Sequence, residues 1–421
     1  MSLTAFCARA GRVVLSVAFL SALVACGEVN KPPEGFKLQT GPHSSMRNGG
    51  EHKRPPQNPS ADSVQQQLLV SLGGQLFFDT NLSLHRNQSC ATCHSPAAAF
   101  SDPTHQAVSL GSIEGKVGGR NTPTIAYSRF SPRFGLNAEG HPRGGQFWDG
   151  RARGLKAQAS GPIFNPVEMA LPRPKVLVER ISENPHYVKT LTRAFGDEVL
   201  KRPERLVSAV ADSLQAFEQT DTFSPFNSKY DRFLRGEEEL TPQEELGRTL
   251  FFSQQFTNCN QCHQLARTSR SKREVFTNFT FHNIGVPKNP ALDQPTDMGL
   301  AGNANFDQTV HPTHPHKNHH GKFKVPTLRN VELTAPYMHN GVFNDLKTVV
   351  QFYNKYNSRS VVAQTNPETG LPWGPAEVPE SLSLKELEFG PALDEVRVDA
   401  LVAFLKTLTD EPYRMAANAA Q

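Results

Sequence analysis

Two five-residue runs carry the most specific chemistry in the chain: Cys90-Ala-Thr-Cys93-His94 and Cys259-Asn-Gln-Cys262-His263. On a helical turn, residues i and i+3 share a face, so both thiols of a run can reach one flat prosthetic group. The residue that follows can then set an imidazole beneath a metal at its centre. This is the attachment signature of a c-type haem. A lone C-x-x-C would serve equally as a zinc half-site or a redox pair. Two copies, each with its own histidine, favour haem, because a four-cysteine zinc site leaves both imidazoles without a task. The remaining cysteines of the six are Cys7 and Cys26 near the N-terminus. None is left over for a structural disulfide, although an oxidising compartment would permit one.

Residues 1–26 read as an export signal. Arg9 and Arg12 form a basic start, and Val13 to Ala25 is an apolar run too short to span a bilayer comfortably. It ends in Leu23-Val24-Ala25-Cys26, which resembles a bacterial lipobox and makes Cys26 the expected lipidation site; simple signal cleavage beside a chance cysteine is the alternative. Residues 27–66 are a polar stretch rich in Pro, Gly, Asn and Ser, expected to be a disordered tether. The expectation is a periplasmic protein, lipid-anchored to a bacterial membrane. Its formal charge of +4 falls to about +2 without the leader, which is no electrostatic footprint for nucleic acid.

The elements that must position the two runs repeat. Gly73-Gly-Gln-Leu76-Phe77-Phe78 precedes the first and Gly247-Arg-Thr-Leu250-Phe251-Phe252 the second, each reading as an amphipathic helix that enters the binding loop. Thr241-Pro242-Gln-Glu244 predicts a capped helix start with proline at the first helical position. Apolar residues recur at helical spacing from Asp394 to Leu405, which predicts the packing helix of the second unit. The fold class expected is mostly α, with two cytochrome c-like haem domains in tandem after the signal peptide and flexible tether. The N-terminal domain is placed at 67–225 and the C-terminal domain at 226–421.

With these residues in view, the chain resembles the bacterial dihaem cytochrome c peroxidase family, and more narrowly its MauG-like branch. The resemblance runs from about residue 67 to 410. It rests on both haem runs and on Leu76-Phe77-Phe78-Asp79, Gly119-Arg120-Asn121-Thr-Pro123-Thr124, Gln146-Phe147-Trp148-Asp149-Gly150-Arg151, Asn165-Pro-Val-Glu168-Met169 and the segment from Pro326 to His339. It implies a peroxide-binding haem on His94 in the first domain and an electron-transfer haem on His263 in the second. The family pattern sets a glutamine ten and a glutamate twenty residues after its tryptophan, and Trp148, Gln158 and Glu168 stand at those spacings. Glu168 is thus the expected general acid/base, Gln158 its neighbour, and Trp148 a relay between the haems; a solvated carboxylate and a core aromatic are the plain alternatives. Pro162 falls where the branch has a distal-pocket proline.

Two departures from classical members favour the MauG-like reading. The loop Gly111–Gly119 lacks the histidine that caps the peroxide haem in classical members, His105 being the nearest upstream, so an open iron is expected without reductive activation. Seventeen residues after Pro336, where classical members have a methionine ligand, stands Tyr353, a hard donor suited to oxidised iron. Met338 is the competing sixth ligand. The resemblance also implies a calcium ion held by Asn121 and by the backbone carbonyls of Thr334 and Pro336.

The function expected is an exported oxidoreductase that uses hydrogen peroxide to form a high-valent dihaem state and oxidises a partner protein by long-range electron transfer. The alternative is a cytochrome c peroxidase that reduces peroxide with electrons from a small cytochrome or copper protein. A non-catalytic dihaem carrier or sensor is disfavoured by the Gln158/Glu168 pair. One feature stands outside the family core: His311, His314, His316, His319 and His320 lie within ten residues. An exposed loop is the preferred reading, and a copper, nickel or zinc site the alternative.

Overall fold

The computed structural model describes Phe36 and residues 61–257, 259–264, 274–304, 306 and 319–420. The leader with Cys26, the tether before residue 61 apart from Phe36, and His311, His314 and His316 lie outside the described residues. Among the described residues no helix is long and apolar enough to cross a membrane.

Helices dominate. The first half contains α1 (Ala61–Phe77), α2 (Cys90–Cys93), α3 (Leu155–Ala159), α4 (Gly161–Phe164), α5 (Pro174–Ser182), α6 (Pro185–Phe195) and α7 (Pro203–Glu218). The second contains α8 (Lys229–Leu234), α9 (Pro242–Phe252), α10 (Cys259–Cys262), α11 (Leu346–Asn354), α12 (Leu384–Leu387), α13 (Glu395–Lys406) and α14 (Glu411–Ala420). Three antiparallel two-stranded ribbons serve as loop clasps: Gly135–Leu136 with Pro142–Arg143, Phe281–His282 with Phe323–Lys324, and Thr365–Asn366 with Leu371–Pro372. Two haem-binding units in a mostly α chain, as the sequence implies, are what this architecture accommodates.

The repeat seen in the sequence is a repeat in space. Helix α1 packs on α7, and α9 on α13. The crossings are so close that a Cβ on Gly73 would lie 1.9 Å from the Ser213 carbonyl oxygen, and one on Gly247 1.8 Å from that of Ala400. Each crossing is flanked by the same ring set. Phe77 meets Phe217 and Phe100 at 5.5 and 6.0 Å; Phe251 meets Phe404 and Phe276 at 5.3 and 6.0 Å. The start of α9 carries the expected capping box, in which the Thr241 hydroxyl accepts from Glu244 N–H while the Glu244 carboxylate accepts from Thr241 N–H.

Two boundaries differ from the sequence expectation. Helix α1 begins at Ala61 and so takes in residues 61–66, assigned above to the tether. The stretch is polar but helix-competent, has Asp62 in its first turn, and is tied down by Gln65 donating to the Ala194 carbonyl. At the other end, α14 turns back onto the first domain, although it falls within 226–421. Tyr413 is fully buried in that first core, its hydroxyl donating to the Thr222 carbonyl at 2.6 Å and its ring 5.6 Å from Phe100.

Candidate functional site

Each C-x-x-C-H run forms a single helical turn closed by its own histidine: His94 N–H donates to Cys90 O and His263 N–H to Cys259 O, both at 2.9 Å. The imidazoles are fixed in the same way. Nδ1 of His94 is bonded to the Phe100 carbonyl at 2.9 Å, and Nδ1 of His263 to that of Phe276 at 3.1 Å. Phe100 and Phe276 both adopt positive φ, 60° and 52°, a strained conformation that aims their carbonyls at the rings. A backbone bond at Nδ1 leaves Nε2 as the coordinating nitrogen. Burial lowers both imidazoles, His263 to about 4, which keeps them in the neutral form that can bind a metal.

The runs line two different cavities, so the four thiols do not converge on one tetrahedral site. None of the four is in a disulfide, and among the described residues no cluster of three or more His, Cys, Asp or Glu is arranged to hold a metal ion. A flat macrocycle bonded at one edge and ligated from one face fits both places. Each has an apolar cavity, of about 840 and 250 Å³, with two thiols and an imidazole on its wall.

The first cavity gathers the expected distal residues. Gln158 at the end of α3, Pro162 in α4 and Glu168 all line it with Cys90, Cys93 and His94. Among the described residues of its wall His94 is the only histidine. His105 is directed away from it, its Nδ1 bonded to the Ala335 carbonyl at 2.8 Å. Burial raises the Glu168 carboxyl, outweighing the nearby Arg151 charge and the Asn165 amide, which donates to Oε1 at 2.7 Å. Arg151 is itself held over the Phe147 ring at 3.7 Å and on Asp149 at 3.1 Å. Asn165 and Arg151 thus set the position and charge of Glu168. Both sit in quoted motifs, yet nothing in the sequence assigned them this task.

The second cavity holds Cys259, Cys262 and His263 together with Tyr353 on α11 and Met338, the two rival ligands. Burial raises the Tyr353 phenol. Trp148 stands in the wall of both cavities. Its indole N–H donates to the Asn121 carbonyl at 2.8 Å, and its own carbonyl accepts from Lys324 N–H at 2.8 Å. Asn121, Thr334 and Pro336 share the first wall. The Asn121 side-chain amide donates to Ala107 O, which leaves its carbonyl oxygen as the end a cation could use. Of the histidine cluster, His319 packs edge-on to Phe306 and His320 faces Glu380 at 4.0 Å.

Comparison with known proteins gives one answer. The family model for di-haem cytochrome c peroxidase matches residues 67–239. The methylamine utilization protein MauG of Paracoccus denitrificans is 48% identical over 84% of this chain and 93% of its own length. The cytochrome c551 peroxidase of Nitrosomonas europaea is 31% identical over 82% of this chain and 81% of its own. Among solved structures, the diheme peroxidase BthA of Burkholderia thailandensis superposes with a TM-score of 0.70 at 35% identity, covering 82% of this chain and 87% of that one. A MauG-like protein associated with microbial copper homeostasis gives 0.59 at 28% identity, covering 86% and 95%.

Proposed function

The chain belongs to the di-haem cytochrome c peroxidase family and is a MauG-like oxidoreductase with two haems; from that premise we propose that it uses hydrogen peroxide to oxidise a partner protein at a distance. The observation that carries this reading is the first cavity, where Glu168 and Gln158 accompany a single imidazole. Cys90 and Cys93 with His94, and Cys259 and Cys262 with His263, would hold the two haems, which would supply the electron-transfer chemistry between peroxide and the partner.

The protein's own residues do the rest. Glu168, its pKa raised by burial, takes a proton from one peroxide oxygen and returns it to the other. The Asn165 amide on Oε1 fixes the carboxyl and leaves Oε2 for that exchange. Gln158 orients the peroxide, and Pro162 narrows the cavity. Trp148, common to both walls, is the electron conduit between the two sites. Tyr353, on the wall of the second cavity, would hold the second haem's iron together with His263. Asn121, with the carbonyls of Thr334 and Pro336, would hold a calcium ion that braces Trp148, since the Asn121 carbonyl receives the indole N–H. Residues 1–26 and the tether after them support a periplasmic location, with Cys26 as the lipid anchor.

A second reading, peroxide reduction with electrons from a small cytochrome or copper protein, is favoured by one observation: Met338 also lines the second cavity. Spectroscopy of the ferric protein separates the two. One high-spin haem and one low-spin His/Tyr haem, the latter lost in Tyr353→Phe, supports oxidation of a partner protein. A methionine-ligated haem that is unchanged in Tyr353→Phe and lost in Met338→Leu replaces it with the second reading.

A further inference from the structure

Reducing hydrogen peroxide to two waters breaks one O–O bond, forms two new O–H bonds, and takes up two electrons and two protons. Under the function proposed above, on which this inference rests, the electrons come from the partner protein and pass Trp148. Protons cannot follow, because they move only across hydrogen bonds. Glu168 passes a proton between the two peroxide oxygens but supplies no net protons. The two net protons must therefore reach the first cavity along a hydrogen-bonded route of their own.

The wall of that cavity holds a carboxyl that the mechanism has not used. Glu218, the last residue of α7, is only 4% exposed, and its Oε2 is buried with no hydrogen-bond partner among the described residues. A buried polar group left unpaired costs several kcal/mol in an apolar setting, so a carboxyl in this place asks for a function. The same helix is joined to the distal side: Gln215, one turn earlier, accepts from the Lys156 N–H of α3, the helix that ends beside Gln158. Two further buried oxygens lack partners among the described residues, the hydroxyls of Ser128 and Ser224. Their segments are joined by Tyr127 N–H donating to Phe223 O at 2.8 Å, and Ser128 lines the cavity. Buried polar atoms left without protein partners are what ordered internal water satisfies.

We propose that Glu218 is the proton relay of the first cavity, taking protons through internal water held at Ser128 and Ser224 and delivering them toward the distal carboxyl Glu168. It acts through Glu168 and water, not on peroxide directly. Burial alone pushes its carboxyl up to about 8, so it carries a transferable proton at neutral pH.

The test uses the ferric holoenzyme. An infrared difference spectrum of Glu218→Gln against wild type, in water and in D2O, should remove one protonated-carboxyl band that shifts in D2O and persists in Glu168→Gln. With haem content and the ferric visible spectrum unchanged, peroxide turnover of Glu218→Gln should fall by roughly tenfold to a hundredfold, with a larger solvent isotope effect and partial rescue in Glu218→Asp. Wild-type turnover and isotope effect in Glu218→Gln, or no protonated carboxyl assignable to Glu218, overturns the relay while leaving the proposed function standing. A wild-type protein that does not consume peroxide overturns both.

Discussion

The Glu168 side chain is held by a neighbour, and that neighbour decides what it can do. The Asn165 amide occupies one oxygen, and burial keeps the proton on the carboxyl to higher pH than a surface glutamate would. Glu168→Gln keeps the shape and removes the proton exchange, so peroxide-driven turnover should fall roughly a hundredfold or more with haem content unchanged, read by stopped-flow mixing with peroxide. Loss of less than a few-fold would move the acid/base role elsewhere in the cavity. Glu168, Gln158 and Trp148 were named through the family resemblance, and all three line the first cavity. The roles of Glu218 and Arg151 were not legible in the sequence. A glutamate at a helix end is ordinarily solvated, and only the packing of α3 on α7 shows that this one faces a cavity. The rival ligands Tyr353 and Met338 both reach the second cavity, so spacing and structure leave the same pair.

At the scale of elements, the duplicated helix crossing explains two glycines that helix propensity disfavours. In an exposed helix Gly→Ala stabilises by about 1 kcal/mol. At Gly247 the sign reverses, because the new methyl would meet the Ala400 backbone, which cannot swing aside as a side chain can. Gly247→Ala should therefore destabilise by about 1–3 kcal/mol or more, with α9 pushed off α13. Chemical denaturation with the second haem's absorbance as a local probe checks this. A stabilised variant would mean that the crossing is looser than 1.8 Å implies. The Gly-x-x-Leu-Phe-Phe repeat was readable as a repeat, but the reason for its glycine was not, since the obstructing carbonyl lies about 150 residues away on a helix read only as a packing partner. Helix α14 escaped the sequence for a similar reason: Tyr413 finds its apolar surroundings only in the first domain, beside Phe100 and Thr222.

Across the whole molecule, the halves are locked by a buried charged network at their junction. Arg329, fully buried, donates to both carboxylate oxygens of Asp231 at 2.8 and 2.9 Å and lies over the rings of Tyr127 and Phe226. Tyr127 in turn donates to Asp410, which also accepts from Asn227 N–H, so first domain, connecting segment and C-terminal stretch meet here. Asp231→Asn would strip the buried guanidinium of its bidentate carboxylate, leaving only the Asp410 charge near it, and should cost about 3–5 kcal/mol in thermal or urea unfolding. Burial raises the Asp231 carboxyl, but the Arg329 charge and its hydrogen bonds outweigh that, and the net shift is downward. A carboxyl lowered by folding contributes stability that is fully present above its unfolded pKa and lost as pH falls through its lower folded pKa. Acid unfolding should thus flatten at low pH in Asp231→Asn relative to wild type; parallel pH profiles would remove this pair from the account.

The account rests on one proposed linkage, two porphyrins each bonded by a pair of thioethers. The direct measurement is a pyridine haemochrome assay on the mature protein after acid-acetone extraction, which strips any haem that is not covalently held. The account predicts two c-type haems per chain remaining with the polypeptide, and one after either Cys90/Cys93 or Cys259/Cys262 is replaced by alanine. Extractable haem, or fewer than two per wild-type chain, would contradict it.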